Sequence, residues 1–311
     1  MKPYYQSDLL TLYLGDTLDV LPHIETGSVN AIISDPPYPM IKRAYGTLTE
    51  LQWSILMTEV CHQSRRVLTD NGSAVFVLQP NSRKVGSMRG WLFEFQAWVC
   101  REWNMVQDVW WWNFTTPPVM QASRRFGLMR PSIRGCIWCG PFDCHRNQDV
   151  ILWQESDYLK VERLKKRSDH IYSNSGYSTN RYRAAIRAEE RGGVTPFNVL
   201  LFSNTSNADG HTASTPLPLA DWWTRYICPP DSVILDPFVG AGTMMLAGLL
   251  HGHRVIGIDK EREYLDITIK RCESLEKQRR GEWHIERRKG KKATMMDGQL
   301  DLFQTIEEAL P

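Results

Sequence analysis

Residues 28–38 read SVNAIISDPPY. The run to Ser34 is short, apolar and partly β-branched, as a buried strand is. Two consecutive prolines cannot donate to a sheet ladder and keep the backbone extended and stiff, so the strand has to stop at Asp35. A carboxylate, the fixed carbonyls of Pro36 and Pro37 and the ring of Tyr38 are thereby set at the carboxyl end of a strand. Open α/β sheets bind their ligands at that place.

The surrounding segments alternate strand and helix. LLTLYLGD (9–16) reads as a strand closing on Gly15-Asp16, and TLDVLPHI as a short helix. Residues 49–68 have helical spacing, with Thr49 as N-cap and Asn71-Gly72 ending the unit. SAVFVLQ (73–79) is the next strand, SMRGWLFEFQAWVCREW an amphipathic helix and NMVQDVWWWN a further strand. This order implies a mostly parallel sheet with helices on both faces. From Thr115 to about Asn207 the chain is polar, basic and irregular, and a second clean stretch begins with the helix TPLPLADWWTRYI.

That stretch continues as VILDPFVGAGT, a strand, then a glycine loop, then the helix MMLAGLLHG. The spacing is not the Gly-x-Gly-x-x-Gly of dinucleotide sites, which weakens a hydride-transfer reading. Gly240 and Gly242 let the backbone approach a ligand closely, and the helix N-terminus offers free N–H groups to an anion. RVIGID follows and ends on Asp259, roughly 20 residues after the loop, where such folds hold ribose hydroxyls. A ligand carrying both a carboxylate and a ribose fits this arrangement.

The chain has 311 residues and a formal net charge of only +2, so a nucleic-acid partner has to be met by a local basic patch. Its 12 tryptophans suit a large core better than stacking platforms. Seven cysteines, with no secretory signal at the N-terminus, point to a reducing cytosol. No apolar run reaches membrane-spanning length, so a soluble cytoplasmic protein is expected.

Together, DPPY at 35–38 and DPFVGAGT at 236–243 resemble the amino-directed DNA methyltransferases, which methylate adenine N6 or cytosine N4. The resemblance covers most of residues 7–275. The catalytic motif precedes the cofactor loop, as in the permuted β subgroup, whose target-recognition region lies between them. The resemblance implies an α/β S-adenosylmethionine-dependent methyltransferase fold, Rossmann-like, with a mostly parallel seven-stranded sheet, one strand of it antiparallel. It divides the chain into a catalytic half (1–113), a target-recognition insertion (114–207), a cofactor-binding half (208–278) and a basic tail (279–311). It also implies S-adenosylmethionine as cofactor, double-stranded DNA as substrate in a bacterial or phage-infected cell, no metal, and homodimers as one assembly such proteins form.

Under that resemblance Asp35, Pro36, Pro37 and Tyr38 form the amine pocket. A ring-conjugated amine is a poor nucleophile because its lone pair is delocalised. Hydrogen bonds from its two N–H groups to the Asp35 carboxylate and the Pro36 carbonyl favour a more tetrahedral nitrogen, and the prolines hold those acceptors in place. Tyr38 stacks on a base that has left the duplex. Asp236, Gly240, Gly242, Thr243 and Asp259 hold the cofactor, Asp16 lies near its adenine or is a turn residue, and Phe238 packs on it or in the core. His211 belongs to HTASTP, where Thr215 takes the place of a family lysine. Asp-Pro-Pro-Tyr occurs in both target groups, whereas Ser-Pro-Pro-Tyr is commoner in N4-cytosine enzymes, so adenine is favoured.

Arg124, Arg125, Arg130 and Arg134, then Lys165, Lys166 and Arg167, then Arg181 and Arg183, make a phosphate-contacting surface with arginines available to guanine edges. Cys136, Cys139, Cys144 and His145 raise zinc, but the second pair is adjacent, and GCIWCG also reads as a strand with its cysteines on opposite faces. In the tail, QLDLF (299–303) resembles the peptide with which bacterial proteins bind the replicase sliding clamp. Leu302 and Phe303 would fill an apolar pocket, with Gln299 making polar contacts and Leu300 part of the same motif; the other reading is an amphipathic helix folding back with Leu300, Phe303 and Ile306 facing inward. The alternatives left open are a cytosine-N4 or RNA-base enzyme, and a catalytically inactive clamp-associated DNA-binding protein.

Overall fold

The computed structural model describes residues 1–42, 46–116, 123–153, 187–188, 190–203 and 215–279. Met1–Leu275 forms one compact unit. Glu276–Pro311 forms a second, of which the described part runs to Arg279. The strands are β1 (Tyr5–Gln6), β2 (Leu10–Leu14), β3 (Val29–Ser34), β4 (Leu68–Leu78), β5 (Ser82–Lys84), β6 (Ser87–Met88), β7 (Met105–Trp112), β8 (Ile133–Cys139), β9 (Val199–Leu201), β10 (Val233–Asp236) and β11 (Arg254–Asp259). The helices are α1 (Thr17–Val20), α2 (Glu50–Val67), α3 (Trp91–Glu102), α4 (Leu217–Ile227), α5 (Thr243–Leu250) and α6 (Arg262–Arg279).

Among the described residues the main sheet runs β1-β2-β11-β10-β3-β4-β8-β7-β9, nine strands where seven are expected. The two additional strands are the short edges β1 and β9. The seven between them are parallel apart from β8, which pairs antiparallel with both β4 and β7. β3 and β10, some two hundred residues apart in the chain, are neighbours, with Ala31 opposite Ile234 and Ile32 opposite Leu235.

Two apolar layers cover the sheet. Along β8, Cys136 and Trp138 enter one layer with α4 and α5, while Ile137 and Cys139 enter the other with α2 and α3. Cys136 and Cys139 thus face opposite sides, as a strand requires. Among the described residues no group of His, Cys, Asp and Glu converges as a metal site. Trp53, Trp111, Trp138 and Trp223 are among the largest fully buried side chains, so most of the tryptophan mass of the described residues is core. Among the described residues no helix is long and apolar enough to cross a membrane.

One local expectation holds and two need adjusting. Thr49 caps α2 in a full capping box with Gln52, as its sequence implies. Asn71-Gly72, however, does not end the unit; it lies inside β4, which begins directly after α2 at Leu68. Gly72 is needed for close approach, because a Cβ there would lie 2.9 Å from the Asn30 carbonyl oxygen of the neighbouring strand. The helix expected from Ser87 starts at Trp91, since Ser87-Met88 pairs with Ser82–Lys84 in a small hairpin.

Candidate active site

The carboxyl ends of β3 and β10 meet at two aspartates. Ser34, the last residue of β3, donates its hydroxyl to Asp236 Oδ1 at 2.6 Å, and the Phe238 N–H donates to the same oxygen at 3.0 Å. Asp236 is 2 % exposed and does not line the cavity described below, in contrast to the ligand contact its motif implies. Its carboxyl ties the two strand ends together. Burial pushes its pKa up to about 7, against the opposing pull of the Ser34 hydroxyl and the Phe238 N–H.

Beyond β10 the loop turns through Gly240 (φ 52°) and Gly242 (φ 78°), both left-handed. At Gly240 a Cβ would meet nothing within 4 Å, and the residue lines the cavity. Gly242 has a different reason. A Cβ there would come within 2.6 Å of the Thr268 side chain on α6, so this glycine admits a helix, not a ligand. Thr243 begins α5, is buried and stands behind the loop. At the end of β11, Asp259 Oδ2 accepts from the Gly240 N–H at 2.8 Å and Oδ1 from the Glu261 N–H at 2.9 Å. Burial raises the Asp259 pKa, and those two N–H groups oppose it.

A cavity of about 450 Å³ spans both motifs. Asp16, Phe238, Gly240, Asp259 and Tyr264 line one part of it, and Asp35, Pro36, Pro37, Tyr38, Gln79, Asn81 and Arg134 the other. Asp16 is also the N-cap of α1, accepting from the Leu18 N–H at 2.9 Å. Each Asp259 oxygen uses one lone pair on a backbone N–H and keeps another for a hydroxyl. With the Phe238 and Tyr264 rings beside it, this part of the cavity fits a nucleoside whose ribose meets Asp259.

The Asp35 end is held from several sides. Oδ1 accepts from the Tyr38 hydroxyl at 2.6 Å and Oδ2 from the Thr215 hydroxyl at 2.7 Å. Arg134 Nη1 stands 3.9 Å from Oδ2. The Pro37 carbonyl accepts from Trp53 Nε1 at 2.6 Å, and the Pro39 carbonyl from Asn81 Nδ2 at 2.8 Å. Asn81 in turn accepts from Trp91 Nε1 at 3.0 Å, and the Trp91 ring lies stacked 6.5 Å from that of Tyr38. Among the described residues no donor reaches the Pro36 carbonyl. Among the described residues the turn therefore presents one carboxylate and one carbonyl without a donor, both held in place, beside the part of the cavity that Asp259 lines.

Of the expected basic surface, Arg124 and Arg125 are exposed, and Arg130 is exposed with its guanidinium donating to the Thr116 carbonyl at 3.3 Å. Arg134 does not join them; it is in the cavity, its charge facing Asp35. Lys165, Lys166, Arg167, Arg181, Arg183, His211 and the tail residues Gln299, Leu300, Leu302 and Phe303 lie outside the described residues. Sequence reading missed the bracing by Trp53, Asn81 and Trp91. Nothing in the α2 sequence marks its one indole, that of Trp53, as a donor to the Pro37 carbonyl.

Residues 29–270 match the N6/N4 methyltransferase family of DNA methylases. The type II methyltransferase M.ScaI of Streptomyces caespitosus is 25% identical over 293 residues, covering 88% of this chain and 84% of that protein. M.PvuII of Proteus hauseri is 22% identical over 294 residues, 85% of this chain and 84% of its own. The solved PvuII DNA methyltransferase, described as cytosine-N4-specific, superposes with a TM-score of 0.66 at 16% identity over 99% of this chain and 96% of that one. A DNA modification methylase of Thermus thermophilus, solved with S-adenosylmethionine, gives 0.53 at 19% identity over 85% and 94%. With its two motif ends joined across one cavity and the family match running through both, the chain belongs to the N6/N4 DNA methylases, which are S-adenosylmethionine-dependent DNA methyltransferases.

Proposed function

We propose that this protein methylates the N6 amine of adenine in duplex DNA, acting on a base flipped into the cavity. The observation that carries the reading is Asp35. Its carboxylate lines the same cavity as Gly240 and Asp259, next to the Pro36 carbonyl, which no donor among the described residues reaches. When bound, S-adenosylmethionine supplies an electrophilic methyl group. Asp259 accepts its ribose hydroxyls, and Phe238 and Tyr264 pack its apolar surface. Asp35 and Pro36 each accept one N–H of the target amine, which localises the nitrogen lone pair and aims it into the cavity. Trp53, by fixing the Pro37 carbonyl, keeps both acceptors in place, so little reorganisation is needed as the reaction proceeds. Tyr38, held by Trp91 and by Asp35, offers a ring face to the base.

Adenine is preferred because the motif begins with aspartate where N4-cytosine enzymes commonly have serine. The cytosine-N4 reading draws support from the solved PvuII relative. Nucleoside mass spectrometry separates them. Unmethylated plasmid is incubated with protein and S-adenosylmethionine beside an Asp35→Ala control. N6-methyladenine from the wild type alone is the expected result; N4-methylcytosine would overturn the choice of base, and methylation by the variant would overturn the role of Asp35.

Two further parts of the reading concern segments around this core. Within 114–207, β8 and β9 belong to the main sheet, and the basic, irregular remainder serves as the target-recognition insertion. QLDLF in the tail docks on the replicase sliding clamp, supported by its similarity to clamp-binding peptides. Deleting 299–311 should abolish clamp pull-down and leave methylation of short duplexes intact; unchanged pull-down would end that idea.

A further inference from the structure

Arg134 departs most from its sequence context. β8 is antiparallel to its neighbours, so its amino-terminal end lies over the ligand edge of the sheet. Gly135 pairs with Leu78, the last residue of β4, and Arg134 one step beyond reaches the cavity. Its side chain is only 12% exposed, and its guanidinium carbon lies 4.6 Å from the centroid of the Trp111 ring. That ring is itself immobilised, fully buried with its Nε1 donating to the Phe202 carbonyl at 2.9 Å. A cation so removed from water needs a counter-charge. Among the described residues the carboxylate it faces is Asp35, at 3.9 Å. The Thr215 hydroxyl donates to the same oxygen, Oδ2, at 2.7 Å.

We propose that Arg134 is a positioning residue for Asp35, which rests on the reading of Asp35 as the amine acceptor. Aligned by Trp111, its charge draws the carboxylate to one side while the Thr215 and Tyr38 hydroxyls fix its rotation. At 3.9 Å the contact is electrostatic, so it uses none of the lone pairs that the base amine needs. A carboxylate with three fixed neighbours is already oriented when the base arrives, and a misplacement of about 1 Å at such a group costs on the order of a hundredfold in rate.

The test compares Arg134→Met, Arg134→Lys and the double variant Arg134→Met/Thr215→Lys, measuring single-turnover methylation, S-adenosylmethionine affinity and DNA affinity. Arg134→Met should lower the rate about 10- to 100-fold, with both affinities within about threefold of wild type. Arg134→Lys should keep most of the rate, since a cation still lies over Trp111. Thr215→Lys should recover activity in the Arg134→Met background, because residue 215 already touches the same carboxylate oxygen. If Arg134→Met does not fold, Arg134→Gln carries the same prediction. Lost DNA affinity with an unchanged saturating rate would make Arg134 a phosphate contact and overturn the inference. So would a folded Arg134→Met variant with an undiminished saturating rate. Asp35→Ala run in parallel keeps the two claims apart. An active Asp35→Ala sinks the role of Asp35; an inactive one beside a fully active Arg134→Met sinks that of Arg134 alone.

Discussion

Asp236 makes the stability of this protein depend on pH in a way that one substitution should remove. Its pKa rises from the ordinary 3.8 to about 7, mainly by burial. The folded chain therefore binds a proton here more tightly than the unfolded chain. Stability from this group is fully present below about pH 4 and is lost as pH rises through about 7. At about 1.4 kcal/mol for each tenfold change in proton affinity, the whole loss is about 4 kcal/mol, of which about 2 to 3 kcal/mol falls between pH 5 and 8. In Asp236→Asn the amide oxygen can still accept from the Ser34 hydroxyl and the Phe238 N–H, while its buried NH₂ adds a cost that does not vary with pH. Urea unfolding without cofactor at pH 5, 6, 7 and 8 gives both curves. The stability of the variant relative to wild type should rise by about 2 to 3 kcal/mol across that range. Parallel curves would refute the assignment of a protonatable carboxyl to this site.

Asp259→Ala should weaken S-adenosylmethionine binding at least about tenfold by calorimetry and leave DNA affinity unchanged, since it removes the hydroxyl acceptor and frees the Gly240 N–H. Gly242→Ala combines a left-handed φ with a 2.6 Å clash against Thr268, and should cost roughly 2 to 3 kcal/mol in urea unfolding. Thr268→Ser, which deletes the methyl, one of the two Thr268 atoms at 2.6 Å, should return part of that loss; no return would assign the loss to the hydroxyl clash that remains and to backbone strain. Trp53→Phe keeps the ring packing and deletes the donor to the Pro37 carbonyl, so the methylation rate should fall by about tenfold with unchanged cofactor affinity.

The features legible in the sequence were those set by local backbone chemistry. Prolines 36 and 37 end β3 whatever surrounds them, Thr49 and Gln52 close a capping box within one turn, and a glycine-rich turn after an apolar strand leads into α5. The alternation of strands and helices placed the sheet and its two covered faces, and the cysteines of β8 fell on opposite sides as a period of two demands. Where local chemistry was ambiguous the reading failed. Asn71-Gly72 carries a turn signal, yet the strand runs through it, because pairing with β3 outweighs a turn and Gly72 makes the close approach possible.

What only the tertiary structure decided was which groups meet. Asp35 and Asp236 end similar strands, but the neighbouring of β3 and β10 assigns one to the cavity and buries the other as a tie between strand ends. Gly242 carries the same sequence signal as Gly240, and only the approach of Thr268 on α6 gives it a separate reason. Arg134 in a basic stretch reads as a solvated, DNA-facing charge. The antiparallel direction of β8 and its pairing with Trp111 turn it inward onto Asp35. A strand's direction and its partner are settled by the burial of whole faces across the sheet, a sum over residues far apart in the chain, and no short stretch of sequence contains it.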